Sequence, residues 1–162
     1  MASSVYKMGD DIDTDVILPG RYLNVTDHAE LALHCMEGID PDFGKKIKAG
    51  DVILGGRNFG CGSSRENAPI AIKASGISAV VAESFARIFF RNAINIGLPI
   101  FESKEAVSAT DAGDKLKIDA DKGLIINETK GLTFKTHPMP EFLRKLYEAG
   151  GLLQYIKKSS NQ

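Results

Sequence analysis

Residues 51–101 read DVILGGRNFGCGSSRENAPIAIKASGISAVVAESFARIFFRNAINIGLPIF, and this stretch decides the fold. Short apolar runs of the kind found in buried strands alternate here with segments in which apolar residues have helical spacing. The predicted strands are Asp51–Gly55, Ile77–Ala82 and Leu98–Phe101, and the predicted helices are Ser64–Ser75 and Ser84–Ile96. Strands and helices that alternate across short links favour parallel strands, right-handed crossovers and a sheet covered by helices.

The C-terminal third of the chain has a different pattern. Three segments that alternate or run apolar are separated by glycines, which predicts a short antiparallel meander. These segments are Lys115–Asp119, Leu124–Asn127 and Leu132–Lys135. A helix is predicted to start at Pro140 and to break at Gly150, with a last turn over Leu152–Ile156. The end of the chain, 157–162, reads KKSSNQ and is predicted to be a flexible tail.

The N-terminal segment gives weaker signals. Val16–Leu18 is a short apolar piece, and Asp27 is predicted to cap a helix over His28–Met36. Together with the segments described above, these features predict a single α/β domain with a mixed sheet over residues 1–162.

Composition excludes several classes of protein. Lys and Arg number 20 and Asp and Glu 21, so the formal net charge of -1 offers no broad basic surface for nucleic acid or anionic lipid. The chain has no run of 18 apolar residues and no secretory-signal pattern, which favours a cytoplasmic protein. Cys35 and Cys61 are too few for a disulfide framework, a structural zinc or an iron–sulfur cluster. We expect Cys61 to be a small packed residue, since no His lies near it in sequence to activate a thiolate.

The segment Asn58–Asn67, NFGCGSSREN, carries the strongest chemical signal. Its two glycines allow backbone conformations that other residues avoid, and the hydroxyls of Ser63 and Ser64 precede Arg65. Because the segment joins a predicted strand to a predicted helix, helix N–H groups and the guanidinium are suited to hold a phosphate or a carboxylate. It lacks the Gly-Lys-Ser/Thr of a P-loop and the linked His and acid of a hydrolase. The pattern indicates an anion site with hydroxyls directed at the anion.

A structural interpretation of the same residues stays open. Ser63 and Glu66 match the capping box, in which each side chain bonds the backbone N–H of the other residue. Because two serines are adjacent, one hydroxyl can cap the helix while the other faces a ligand. Arg87 and Arg91, one turn apart on the second predicted helix, are interpreted as a solvated face or as a contact with an acidic partner.

Three long motifs carry a resemblance to one family. They are DIDTDVILPGRYL at Asp11–Leu23, NFGCGSSRENAP at Asn58–Pro69 and ESFARIFFRNAINIGLP at Glu83–Pro99. In order and spacing they resemble the small subunits of isopropylmalate dehydratases, relatives of the swivelling domain of aconitase. The resemblance covers nearly the whole chain, from about Asp10 to Lys158. It implies a single swivelling β/β/α domain with a mixed sheet, similar to aconitase domain 4. It also implies a hydro-lyase of leucine biosynthesis that moves a hydroxyl between neighbouring carbons of a malate derivative by dehydration and rehydration.

The resemblance also implies roles for individual residues. In the family, the first serine of Ser-Ser-Arg takes the carbon-bound proton, and here that serine is Ser63. The next two residues, Ser64 and Arg65, would hold a substrate carboxylate. A helix N-terminus and an arginine are groups of the kind that stabilise a serine alkoxide. The Thr-Asp of the first motif supplies a carboxylate that pairs with a catalytic His of the partner, and it corresponds to Asp15. The alternative for Asp15 is a turn residue that bonds its own backbone.

In the family, the residues after Tyr-Leu read the variable group of the substrate, which implies substrate contacts for Leu23, Asn24 and Val25. An Arg after Tyr-Leu goes with an acidic side arm, whereas a neutral Asn followed by Val favours a branched alkyl group. An extended segment would direct Arg21 away from Asn24. Asn67 stands where His often follows Ser-Ser-Arg-Glu, and because Asn carries no proton near pH 7 it removes support for an acid–base role there.

The resemblance implies a large-subunit partner, in a heterodimer or heterotetramer, that carries a four-iron four-sulfur cluster. No cofactor or metal is expected on this chain itself, and no contact with nucleic acid or membrane. Two alternatives stay open. One is the small subunit of a related hydro-lyase, such as homoaconitase, citraconate hydratase or 2,3-dimethylmalate dehydratase. The other is an anion-binding module without catalysis.

Overall fold

The computed structural model describes residues 3–160, which contain seven strands in one mixed sheet. In chain order the strands are β1 (Ser3–Lys7), β2 (Val52–Leu54), β3 (Ala79–Ala82), β4 (Ile100–Glu102), β5 (Lys115–Asp119), β6 (Leu124–Asn127) and β7 (Leu132–Lys135). Across the sheet their order is β4-β3-β2-β1-β5-β6-β7. Strands β1 to β4 are parallel. Strands β5 to β7 form an antiparallel meander, which pairs with the parallel half through β1.

Helices follow most of the parallel strands. They are α1 (Thr14–Ile17), α2 (His28–Leu33), α3 (Phe43–Lys46), α4 (Asn67–Ala74), α5 (Arg87–Ile96), α6 (Lys104–Ala109), α7 (Glu141–Ala149) and α8 (Leu152–Ser160). A 3-10 turn spans Gly20–Tyr22. The α/β class, the mixed sheet and the six predicted strands are confirmed, and the meander has its predicted bounds. Strand β1 and helices α1, α3 and α6 were not predicted; Val16–Leu18 had been interpreted only as a short apolar piece.

The sheet has a hydrophobic core on each face, because successive residues of a strand point to opposite sides. In β2, Ile53 packs against helices α2, α4 and α5. Its neighbours Val52 and Leu54 pack on the other face, in a core with Leu116 of β5 and Ile125 of β6. All five side chains are at most 1% exposed. The meander and α6 therefore cover the face opposite α2, α4 and α5, which gives the β/β/α layering that the family resemblance implies.

Helices α4 and α5 begin three residues later than predicted. In both cases the residues just before the helix form hydrogen bonds with another loop, which keeps them out of the helix. The Ser63 carbonyl accepts a hydrogen bond from the Thr14 hydroxyl, and Phe59 exchanges backbone hydrogen bonds with Ser84 and Ala86. These partners are distant in sequence, which is why local spacing predicted the wrong helix starts.

The remaining N-terminal and C-terminal predictions have mixed outcomes. The Asp27 carboxylate accepts from the Ala29 N–H at 3.0 Å, so the predicted cap of α2 is confirmed, although this helix ends at Leu33. Helix α8 continues through Ser160, so the last turn predicted over Leu152–Ile156 is too short. The predicted flexible tail thus overlaps a helix at 157–160, and its last two residues lie outside the described residues. Within residues 3–160, no helix is long and apolar enough to cross a membrane.

Candidate active site

Three loops that follow neighbouring parallel strands meet at one edge of the sheet. They follow β1, β2 and β3, which are adjacent in the sheet. Backbone hydrogen bonds join them: the Thr14 N–H donates to the Cys61 carbonyl at 2.9 Å, and the Phe59 N–H to the Ser84 carbonyl at 3.0 Å. The carboxyl ends of parallel strands are the usual place for a ligand in sheets of this kind. The topology therefore brings the three recognised motifs to one place.

The loop after β2 lies on a cluster of aromatic rings. The ring of Phe59 is 5.9 Å from that of Phe85 and 5.4 Å from that of Phe89, both in edge-on geometry. Gly60 crosses this cluster with a φ of +84°, and a Cβ built on it would lie 2.2 Å from Cγ of Phe89. Gly62 has a φ of +91°, but the nearest atom to its added Cβ is 3.5 Å away. The aromatic cluster thus fixes the path of the loop, and Gly60 is the residue that allows so close an approach.

The two serines that end this loop are exposed and lie outside any helix. The capping-box interpretation is wrong, because α4 begins at Asn67 and its cap residue Glu66 makes no side-chain cap hydrogen bond. The Ser63 carbonyl accepts from the buried Thr14 hydroxyl at 2.7 Å, which holds the loop in place. Among residues 3–160, neither the Ser63 nor the Ser64 hydroxyl has a hydrogen-bond partner, so both are free to meet a ligand.

A cavity of about 180 Å³ opens beside these serines. Its polar lining comes from Thr14, Ser63, Ser64, Arg65, Arg87 and Asn92. The N-terminus of α5 belongs to the same lining, and Ala86, its cap residue, makes no side-chain cap hydrogen bond. The first-turn N–H groups of a helix left in this way favour an anion. The cavity thus combines two hydroxyls with a cationic, N–H-rich wall.

Arg65 is paired with Asp15 at the side of the cavity. Nη1 of Arg65 donates to Oδ1 of Asp15 at 2.8 Å and to the Leu18 carbonyl at 3.1 Å. The Gly20 N–H donates to the same carboxylate oxygen at 3.0 Å. The hydrogen bonds from Arg65 and Gly20 hold the pKa of Asp15 below its usual value, so this residue is a carboxylate at neutral pH.

This pairing leaves part of the Arg65 guanidinium available. Its two Nη1 hydrogens are used by Asp15 and Leu18, whereas the hydrogens of Nη2 and Nε have no acceptor among the described residues. Two parallel N–H groups of this kind fit the two oxygens of a carboxylate. Asp15 also accepts from a backbone N–H five residues ahead, which agrees with the interpretation of Asp15 as a turn residue.

The segment after the 3-10 turn places Leu23, Asn24 and Val25 beside the start of α4. None of the three lines the serine cavity. Leu23 is 43% exposed, Asn24 is exposed, and Val25 is half-buried against the core under the helices. Asn67 Nδ2 lies 2.9 Å from the Leu23 carbonyl and 3.3 Å from the Val25 carbonyl, so this side chain ties the segment to α4. We call residues 23–25 the recognition loop.

A second cluster holds the residues just before the recognition loop. The Glu37 carboxylate accepts from Arg21, from the Tyr22 hydroxyl at 2.9 Å and from His34 Nδ1 at 2.5 Å. Burial by itself would raise the pKa of Glu37, but the hydrogen bonds from these three side chains outweigh it and hold that pKa below its usual range. The segment is a turn, so the expected extended conformation is wrong. Arg21 is nonetheless kept from the site, because Glu37 binds it.

The cysteines do not fit a metal or an iron–sulfur cluster. Cys35 lies in the helical core, where burial raises its pKa to about 12, and partial burial together with Asp11 and Asp13 raises the pKa of Cys61. A thiol that keeps its proton is a poor ligand and a poor nucleophile. Over the described part of the chain, no group of three or more His, Cys, Asp or Glu is placed to hold a metal ion.

Three polar residues of the cavity were not predicted as site residues: Thr14, Arg87 and Asn92. Arg87 had been paired with Arg91 as a solvated face or partner contact, and both are exposed. Arg87, however, lines the cavity, whereas Arg91 does not. The position of Arg87 in the first turn after a parallel strand was the signal that could have found it, since such turns meet at the ligand edge of the sheet.

Comparison with known proteins agrees with this architecture. The Aconitase C-terminal domain family matches residues 41–105, which include β2, the serine loop and α5. The 3-isopropylmalate dehydratase small subunit of Caldanaerobacter subterraneus is 57% identical over 158 residues, 98% of each chain. The 2,3-dimethylmalate dehydratase small subunit of Eubacterium barkeri is 60% identical over 153 residues, 94% of each chain.

A solved structure has the same fold. The crystal structure of 3-isopropylmalate dehydratase from Methanocaldococcus jannaschii superimposes with a TM-score of 0.91 at 52% identity. It covers 98% of this chain and 93% of that chain. These relatives are more than half identical to the chain over nearly its full length, and the solved structure shares its fold. The chain therefore belongs to the aconitase-related family of 3-isopropylmalate dehydratase small subunits.

Proposed function

We propose that this chain is the small subunit of a 3-isopropylmalate dehydratase, which interconverts 2-isopropylmalate and 3-isopropylmalate by dehydration and rehydration. The observation that carries this proposal is that one cavity is lined by two serines, whose hydroxyls have no partner among the described residues, by the N-terminus of α5 and by Arg65. A binding module for an anion could use the same hydroxyls as donors, so the identity of more than half to dehydratase small subunits favours the reaction over binding alone.

In this proposal Ser63 is the base. As the alkoxide, its Oγ takes the proton from the substrate carbon in dehydration, while the hydroxyl of the neighbouring carbon leaves towards the large subunit. It returns the proton in rehydration, when the hydroxyl adds back. A serine hydroxyl is too weak a base unless the alkoxide is stabilised, and the first-turn N–H groups of α5 with Arg65 and Arg87 supply that stabilisation. Thr14 fixes the backbone from which the Ser63 hydroxyl extends.

Ser64 and Arg65 bind a substrate carboxylate. The free Nη2 and Nε hydrogens of Arg65 make the bidentate contact, while Asp15 and the Leu18 carbonyl hold Nη1. The open oxygen of Asp15 is directed to the partner, where it accepts a hydrogen bond from a catalytic His of the large subunit. Asp15 is 66% exposed at its side chain, which suits such a contact.

The large subunit also carries the iron–sulfur cluster in this proposal, because the described residues of the small subunit do not fit one. The two subunits meet over the exposed serines, so that the substrate is enclosed between them. A heterodimer and a heterotetramer both allow this arrangement.

The recognition loop selects the substrate. Asn24 is neutral and exposed and cannot offset a third carboxylate, whereas Val25 is apolar and adjoins it. This favours an isopropyl side arm. The 60% identity to a 2,3-dimethylmalate dehydratase subunit supports a second candidate with a smaller alkyl arm.

The deciding experiment is reconstitution. The chain is mixed with a cluster-bearing large subunit, and kcat/KM is measured for isopropylmalate, for a dimethylmalate-type substrate and for a homoaconitate-type substrate. We expect the highest value for isopropylmalate and the lowest for the substrate with the extra carboxylate. A preference for the dimethylmalate type would favour the second candidate, and complex formation without any turnover would leave only the binding module.

A further inference from the structure

One side chain links the recognition loop to the segment that carries the serines. Asn67 is the first residue of α4, two positions after Arg65, and its Nδ2 is within hydrogen-bond distance of the Leu23 and Val25 carbonyls, at 2.9 and 3.3 Å. The partners are 44 and 42 residues away in the chain. The loop itself has no helix or strand between the 3-10 turn and α2. Its position relative to Arg65 therefore depends on contacts of this kind.

The chemistry of the contact is specific to an amide. Carbonyl oxygens accept only, so the nitrogen of the Asn67 side chain must face them, and its two hydrogens can serve both carbonyls. A neutral imidazole has one N–H group and could serve one of them. The amide also keeps its hydrogens at every pH at which the protein is folded. Asn67 can thus hold two points of the loop at once without carrying charge.

The opposite end of the loop is held separately. Glu37 binds Arg21 and Tyr22, which precede the loop, and the Val25 N–H donates to the Tyr22 carbonyl at 3.1 Å. The loop is therefore anchored before residue 23 by the Glu37 cluster and at residues 23 and 25 by Asn67. Asn24, between the two carbonyls, projects from a segment fixed on both sides.

We propose that Asn67 is a positioning residue that sets the distance and direction of the recognition loop relative to Arg65, and so determines which side arm the enzyme accepts. This inference rests on the proposed function, because it assumes that residues 23–25 read the substrate. Asn67 itself does not line the serine cavity. It acts through the loop, so its loss should alter substrate binding and selectivity more than the proton transfer.

The test is the variant Asn67→Ala in the reconstituted enzyme, compared with Asn95→Ala, an exposed asparagine of α5 without a side-chain hydrogen bond among the described residues. For Asn67→Ala we expect KM for isopropylmalate to rise about tenfold, as for the loss of one or two neutral hydrogen bonds, with kcat changed less than about threefold. The preference for isopropylmalate over substrates with other side arms should fall by a similar factor. The Asn95→Ala enzyme should match the wild type.

A second measurement does not depend on activity. Hydrogen–deuterium exchange of the chain alone should show faster exchange at residues 23–26 in Asn67→Ala and unchanged exchange in the strands. If Asn67→Ala does not fold, Asn67→His replaces it, since it can hold one carbonyl only, and the same direction of change is required.

The outcomes separate this inference from the function on which it rests. If Asn24→Arg alters the substrate preference and Asn67→Ala does not, the loop reads the substrate but Asn67 does not position it, and the inference is overturned. If neither variant alters the preference, the loop does not read the substrate. This inference and the proposed role of the loop then fail, whereas the dehydratase function is judged by turnover itself. Loss of kcat with unchanged KM in Asn67→Ala would also overturn it, because that result places the residue in the chemistry.

Discussion

At the scale of single residues, the site depends on which polar groups are already paired. Asp15 and the Leu18 carbonyl occupy one nitrogen of Arg65, and Thr14 occupies the Ser63 carbonyl. Within residues 3–160, the groups left without a partner are the two serine hydroxyls and the Nε and Nη2 hydrogens of Arg65. These are the groups that the proposed reaction uses, and neighbouring residues hold the backbone of Ser63 and one nitrogen of Arg65 in place.

Replacing Ser63 by Ala should lower kcat of the reconstituted enzyme by about 10²–10⁴-fold or more, because a positioned proton-transfer group is commonly worth that much. KM should change little. The melting temperature should not change, since Ser63 caps no helix. Ser64→Ala is the matched control, and we expect it to raise KM with a smaller loss of kcat. Full turnover by the Ser63 variant would remove this serine as the base.

Replacing Asn24 by Arg should raise kcat/KM on homoaconitate-type substrates relative to isopropylmalate. The new guanidinium supplies the cation for the third carboxylate and meets the alkyl arm unfavourably. Arg21 does not provide this cation in the natural chain, because Glu37 holds it. The ratio of kcat/KM for the two substrates measures the effect. An unchanged ratio would show that the loop does not select the substrate.

At the scale of elements, the loop after β2 is shaped by what lies beneath it. A Cβ at Gly60 would meet the Phe89 ring at 2.2 Å, whereas a Cβ at Gly62 would meet nothing closer than 3.5 Å. Both residues have φ values that an L side chain avoids. Both glycines are therefore required for their positive φ values, but only Gly60 is also required for close packing.

The variants Gly60→Ala and Gly62→Ala test this difference. Gly62→Ala should lower the free energy of unfolding by about 1–2 kcal/mol through backbone strain alone. Gly60→Ala should lower it by about 1–3 kcal/mol more, because the added methyl overpacks the aromatic cluster. Urea denaturation of the two chains gives both values. Equal losses would mean that Phe89 yields to the methyl group without cost.

The elements also show how far the sequence could be interpreted. Each strand of the meander alternates or runs apolar between glycines, so local pattern was sufficient to place it. The starts of α4 and α5 were misplaced, because distant partners such as Thr14 hold the residues before them. Ser63, Ser64 and Arg65 are contiguous in the chain, so their shared site could also be predicted from local sequence. Asn92 and the contact of Asn67 with the recognition loop could not be predicted, since they arise only where separate loops meet. Arg87 could have been found from its position in the first turn after a parallel strand.

At the scale of the whole molecule, the site lies at the surface of the chain. Ser63 and Ser64 are exposed, and the cavity is small. Proton transfer from carbon to a serine alkoxide needs water to be kept away. This chain alone cannot provide that enclosure, which agrees with the family's division into a large and a small subunit.

The purified chain should therefore be inactive on its own. After anaerobic incubation with iron and sulfide it should remain without the visible absorbance of an iron–sulfur cluster, and it should show no dehydratase activity. Addition of a cluster-bearing large subunit should shift its elution volume in size-exclusion chromatography and restore turnover. A coloured and active preparation of this chain alone would contradict the proposed division of labour.

Strand β1 has a consequence for how the chain assembles. It pairs in parallel with β2 and antiparallel with β5. In the described sheet it is therefore the one strand that joins the parallel half to the meander. Until β1 is inserted, β2 and β5 have unpaired strand edges, and such edges can pair with other chains. Strand β1 must therefore wait for β5, which lies more than a hundred positions later in the chain, and a delay in this pairing favours aggregation over folding.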